Sequence, residues 1–321
     1  MKRKTITLWM AAALFLLLIW QAESARAGAL SGALLWAQIL LPSLLPYFTA
    51  AGLLERAGFS ALLGRYLAAP AARLFGVSGE AAAVFLLSLT GGYPLGAAAA
   101  AELGRAGRLD KEEGEHLLSF SDNTGPAFAV GALGVGVFHN ALLGLFLWVV
   151  HALTAVLTGV LLSIGRPRTD TAAATRDTDA MPFAEALTGA VKSAVSALLS
   201  IGGYVVFFSA LLGMADAAGL ISTLSGALSR LTGAADGVSR ALIAGLLELS
   251  NGIGAMRGLP PTPTTLSLAA FLLGWGGLCV HFQSLAVTAD TSWTLKGRLG
   301  GKLLHGVLSA GFAYLLASLI L

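Results

Sequence analysis

Three ionisable residues, Asp122, Glu248 and His281, stand in otherwise apolar stretches of this chain. An ionisable group at membrane depth is costly and is a functional candidate by default. Small polar residues and chain breakers surround them: Thr90, Gly91, Gly92 and Pro94; Asn123, Thr124, Gly125 and Pro126 after Asp122; Ser250, Asn251 and Gly252 after Glu248; Gln283 after His281. Hydroxyls and amides offer donors and acceptors for a polar ligand, and the two carboxylates suit a bound cation or a carried proton. Each residue also has a plain structural reading. Asp122 would cap the half-helix that follows it, Glu248 would pair with an arginine such as Arg257, and His281 would be a hydrogen-bonded buried histidine. His116, beside Glu112, Glu113 and Glu115, reads as part of a solvated helix end.

The surroundings of these residues set the class. Of 321 residues 56% are apolar and 12% charged, against about 25% charged in soluble domains. Forty glycines in such a chain imply close helix packing and interrupted helices. The net charge of +3 is small and its basic residues are scattered, which gives no nucleic-acid surface. Cys279 is the single cysteine, so disulfides and cysteine metal sites are excluded, and no other metal-ligand or cofactor motif appears. Nucleotide-binding, metalloprotease and serine-hydrolase motifs are missing as well, and we expect no enzyme and no resident cofactor.

Stretches 141–164 and 302–321 are each close to the ~20 residues that span a bilayer. A third, 33–54, carries Pro42 and Pro46 and should be kinked. Lys2-Arg3-Lys4 before the apolar run 6–20 reads as an uncleaved first transmembrane helix with its positive end cytoplasmic, in preference to a signal peptide cut after Ala27. Between these spans lie apolar segments broken at 90–94, 121–126, 250–254 and 274–277. Backbone left unpaired in hydrocarbon costs several kcal/mol per group, so such breaks must face protein or a water-filled cavity.

The breaks fall into two matching halves. LPSLLPYFTAAGLL at 41–54 aligns with IGGYVVFFSALLGM at 201–214, and LLSLTGG at 86–92 aligns with LLELSNG at 246–252, both at an offset of 160. A shorter offset of 152 lays Asn123-Thr124-Gly125 on Trp275-Gly276-Gly277. The expected organisation is an all-α, polytopic membrane protein: an N-terminal transmembrane helix and loop at 1–32, a first repeat at 33–164, a polar linker at 165–182 and a second repeat at 183–321. Repeats with matched broken helices are a recurrent transporter plan. Whether the repeats are parallel or inverted depends on whether each broken hairpin crosses or re-enters. Arg105, Arg108 and Lys111 favour a cytoplasmic face for their turn.

GGYPLGA at 91–97, SFSDNTGPAF at 119–128, FHN at 138–140 and ELSNG at 248–252 resemble the YlbJ-type sporulation integral membrane proteins. These belong to the nucleoside-recognition (Gate) group, with the spore maturation proteins SpmA and SpmB as relatives. The resemblance runs from about residue 33 to the C-terminus. It implies a multi-pass protein of the cytoplasmic membrane, in the mother cell or forespore during sporulation, with Gate-like repeats. One departure stands out: Asp122 occupies a position where the pattern leads us to expect an uncharged residue such as Asn.

Together these readings lead us to expect a transporter-like protein that binds or moves a small polar solute through a central site, with a coupling cation as a candidate partner. The bilayer itself, further copies of the chain and other spore-envelope membrane proteins complete the expected partners. The rival reading is a membrane scaffold for spore-envelope assembly that transports nothing.

Overall fold

The computed structural model describes residues 2–166, 181–294 and 296–320, so the expected polar linker falls almost wholly outside the described residues. Among those residues the chain is all-α. It opens with α1 (Lys2–Trp20) and α2 (Ala22–Leu35), which runs through a π-helical turn, π1 (Trp36–Leu40), into α3 (Leu41–Arg56). The expected loop after the first helix is therefore helical. Gln21 interrupts the helix for a single residue, and beyond it Gly28 and Gly32 serve as close contacts with Ser209 rather than as turns.

The remainder of the first half comprises α4 (Phe59–Leu74), α5 (Gly79–Gly91), α6 (Leu95–Arg105), α7 (Lys111–Phe120), a π-helical segment π2 (Ala127–Val135) and α8 (Ala141–Ser163). Elements of the second half follow a similar order: α9 (Phe183–Ala217), α10 (Leu220–Thr232), α11 (Asp236–Leu247), α12 (Leu249–Gly254), α13 (Pro263–Trp275), α14 (Gly277–Val287) and α15 (Lys296–Ile320). Left-handed glycines make the corresponding turns, Gly58 before α4 at φ 85° and Gly219 before α10 at φ 74°.

Local chemistry starts and stops these helices. Ser78, Asp110, Asn140 and Thr262 accept backbone N–H groups at the starts of α5, α7, α8 and α13, and Pro263 follows its cap at a position that needs no donor. Among the described residues five helices are long and apolar enough to cross a membrane, or six if α4 and α5, bent by 96°, make one broken span. Many of their large apolar side chains point outward, among them Leu142, Leu153, Leu199, Leu303 and Leu319. Helices with that outer surface place the chain in a lipid bilayer as an integral membrane protein.

The main apolar core joins the halves, packing Phe48, Phe128 and Leu147 with Leu198, Val205, Ile253 and Leu272. A second cluster inside the first half stacks Phe75, Phe85 and Phe120, with ring centroids 5.4–5.5 Å apart.

Candidate functional site

The first half breaks at Gly92–Pro94 and at 121–126, as the sequence predicts. Gly125 sits against the backbone of the first break so closely that an added Cβ would lie 2.9 Å from Gly92 N and 3.1 Å from Thr90 O. Gly277 repeats the arrangement in the second half, where a Cβ would lie 2.9 Å from Gly245 O and 3.0 Å from Leu249 N. Only glycine lets the two broken segments of each half approach to this distance.

One break differs from expectation. The second-half interruption predicted at 250–254 lies earlier, at Glu248, and 249–254 is helical. The side chain is the reason. Glu248 adopts an extended backbone and its carboxylate accepts Ser250 N at 3.0 Å and Asn251 N at 2.6 Å, so the helix restarts after a single residue. Asn251 Nδ2 adds a bond to the same carboxylate at 2.7 Å and another to Ser209 at 2.7 Å. Glu248 thus works as a cap, and Arg257 is exposed to solvent.

A cavity of about 40 Å³ lies where the two halves meet. Its polar wall consists of Tyr93, Glu248, Ser250 and Gln283, with the backbone of Gly91, Gly92 and Gly125; Leu40, Phe48, Phe128, Ile201 and Val205 form the apolar wall. A space of that size admits only water-sized molecules in this conformation. Any larger solute requires it to open.

Behind this cavity lies a buried polar network. Asp122, at φ 62°, accepts Arg298 Nη2 at 2.6 Å and also takes the Ser284 hydroxyl. Arg298 contacts His281 Nδ1 and donates to Ser284 Oγ at 2.8 Å. Lys302 Nζ donates to Asp122 O at 3.1 Å, Asn123 Oδ1 at 3.2 Å and His305 Nδ1 at 3.3 Å. His305 Nε2 in turn reaches His151 O at 3.0 Å, and His151 Nε2 accepts Thr124 N at 3.0 Å. Asp122, Asn123, Thr124, His151, Arg298, Lys302 and His305 are all buried from solvent. Among the described residues four polar atoms of the network have no hydrogen-bond partner: Asp122 Oδ1, His151 Nδ1, His281 Nε2 and Arg298 Nε.

The halves also cap one another. Hydroxyls of Tyr93 and Thr124 touch each other and converge on Leu273 O, at 2.9 and 3.0 Å, near the end of α13. Indole nitrogens cover other carbonyls near the breaks, Trp148 on Leu89 O at 3.3 Å and Trp275 on Leu246 O at 3.2 Å. Polar groups freed by the interruptions are thereby paired inside the protein, as membrane depth requires.

The sequence candidates therefore divide. Gly91, Gly92, Gly125, Glu248, Ser250 and Gln283 line the cavity, while Asp122, Asn123, Thr124 and His281 belong to the network behind it. Pro94 and Pro126 sit at the starts of α6 and π2, and Gly252 packs on Gly245. Thr90 is exposed and its hydroxyl bonds back to Leu86 O and Leu87 O of its own helix. Sequence reading missed His151, Arg298, Lys302 and His305. Their signal was present: Arg298, Lys302, His305 and Ser309 are spaced for one face of a helix, and His151 stands within an apolar span.

His116 also differs from the solvated end expected for it. It is buried against Phe120 with Nε2 2.8 Å from Phe75 O, and burial pushes its imidazole below the ordinary histidine range.

Comparison with known proteins adds one relationship. The chain is similar to the sporulation integral membrane protein YlbJ of Bacillus subtilis (strain 168), at 28% identity over 314 aligned residues, covering 89% of this chain and 76% of that relative. This supports a YlbJ-type protein, in keeping with the motifs at 91–97, 119–128 and 248–252. No protein-family model matches the chain, and no solved structure matches it.

Proposed function

We propose that this chain, as a YlbJ-type integral membrane protein, serves sporulation by binding and moving a small polar solute through the cavity between its two halves. On this reading the halves are Gate-like repeats and the chain is not an enzyme. One observation carries the proposal: broken segments of both halves converge on a single cavity whose polar wall draws Tyr93 from one half and Glu248, Ser250 and Gln283 from the other. Packing alone would not require that convergence.

The physics is that of a site poised to be rebuilt. Breaks expose partial charges of about half a unit at helix ends. Here those ends are held by side chains from the opposite half, through Tyr93 and Thr124 on Leu273 O. A relative movement of the halves would exchange these internal partners for a solute. Apolar contacts between the halves, including Phe48 and Phe128 with Val205 and Leu249, would slide with little change in hydrogen bonding.

The test is ligand-dependent thermal stabilisation of the purified chain against nucleosides, nucleobases, dicarboxylates and divalent cations, beside a Ser250→Ala/Gln283→Leu variant. A ligand at 100 times its Kd stabilises the folded state by roughly 2.7 kcal/mol. The expected result is a shift for one chemical class that disappears in the variant. A flat screen on well-folded protein would turn the reading toward a scaffold.

A further inference from the structure

Lys302 lies fully buried on α15 and points its ammonium at the end of α7. Its three polar neighbours are all acceptors. Asp122 O is a carbonyl. Asn123 Oδ1 is the oxygen of its amide, because Nδ2 of the same group donates to Phe120 O at 3.0 Å and Ser88 Oγ at 3.2 Å. His305 Nδ1 is the bare nitrogen of its ring, because Nε2 faces the carbonyl of His151, which has no hydrogen to give. An uncharged amine has two hydrogens for these three lone pairs, whereas an ammonium has three. The cage therefore fits the charged form.

Its position has a further meaning. Unwound carbonyls and half-helix C-terminal ends are the groups that bind monovalent cations in broken transmembrane helices. The C-terminal end of α7 carries the negative end of its dipole, and Lys302 sits on the backbone just beyond it. The approach is built in as well. Gly301 lies so close to Ser119 O that any Cβ would collide with it, which brings α15 against the last turn of α7.

We propose that the break at 121–126 is a monovalent-cation site filled by the chain's own Lys302 ammonium. The tethered charge holds the two ends of the break in register and leaves no vacancy for a free coupling cation there. This stands whether or not the protein moves a solute. Charged and titratable groups facing the ammonium are Asp122 from the break, Arg298 and His305 from α15, His151 from α8 and His281 from α14.

The experiment is a thermal-unfolding series on the full chain in detergent, with sodium, ammonium or choline chloride at equal ionic strength. Parent protein, Lys302→Ala and Lys302→Met are compared. Removing the side chain to alanine should lower the midpoint by several degrees and open the site. Sodium or ammonium should then restore much of the loss with a saturating dependence that choline lacks. Parent and Lys302→Met should respond to none of the three, since the site is filled by ammonium in one and by a thioether in the other. A Lys302→Ala protein indifferent to small cations overturns the proposal, as does a parent that gains a saturable shift from sodium. Should Lys302→Ala not accumulate, Lys302→Met decides, because its volume is kept and its charge is lost. A midpoint at least as high as the parent's would overturn the proposal, and a loss of several degrees supports it.

Discussion

Asp122 and Arg298 lie 176 positions apart in the chain and meet as an ion pair at 2.6 Å with both side chains fully buried. The carboxylate comes from the second break of the first half and the guanidinium from the closing helix of the second. Removing one partner of a buried pair leaves an uncompensated charge and costs about 3–5 kcal/mol. Asp122→Asn should therefore destabilise strongly, although asparagine tolerates the left-handed backbone at this position. Combining it with Arg298→Met should recover part of the loss, read as a coupling of about 0.5–3 kcal/mol in a double-mutant cycle of unfolding midpoints. Additive losses would show that the pair does not act as a unit.

Two glycines one residue apart on α15 give a matched test of the helix crossing. An added Cβ at Gly301 would collide with Ser119 O, whereas Gly300 has nothing within 4 Å. Gly301→Ala should cost about 1–3 kcal/mol through forced displacement of α15. Gly300→Ala should stabilise by up to about 1 kcal/mol, from helix propensity alone. Equal effects of the two substitutions on the melting midpoint would contradict the packing described.

Glu248 is expected to behave first as a cap. Glu248→Ala removes the acceptor of two backbone N–H groups and should cost at least the roughly 0.5–2 kcal/mol of a lost N-cap. Glu248→Gln retains one oxygen and should fall between alanine and the parent in thermal stability. An alanine variant as stable as the parent would mean that the helix restart at Leu249 does not depend on this side chain.

His116 carries a pH dependence whose sign follows from its burial. Its folded value is below the ordinary histidine value, so the unfolded chain binds the proton more readily. The stabilisation from the neutral ring is complete above the unfolded value of about 6.5 and is lost as pH falls through the folded value. The apparent midpoint of the parent should drop more steeply below about pH 6.5 than that of His116→Gln. Parallel curves for the two proteins would refute this assignment.

What the sequence made legible followed from where each signal resides. Breaks at 90–94 and 121–126 were readable because Gly92, Pro94, Gly125 and Pro126 act through their own backbone. The shift of the third break to Glu248 was not, because a carboxylate can cap a helix only if its backbone turns extended, and no neighbouring residue dictates that. Asp122 stood out as a lone charge. Its partner Arg298 did not, because Arg298 lies before the apolar run read as the last span, and only its spacing with Lys302 and His305 placed it on the same helical face. Lys302 and His305 could have been found from their shared helical face, had the polar side of that span been weighed with its apolar side. The line-up of the halves shifts from an offset of 160 to 152 along the chain, and so did not say which residues oppose one another.

The most direct test of the central claim is accessibility of the cavity from both faces of the membrane. With Cys279, the single cysteine, replaced by serine, Gln283→Cys is labelled with a membrane-impermeant thiol reagent in spheroplasts and in inside-out vesicles. A cavity that opens alternately predicts labelling from both sides, each slowed by a solute that stabilises the protein. Labelling from neither side, with full reaction after denaturation, would contradict a transport site and leave the cavity as closed architecture.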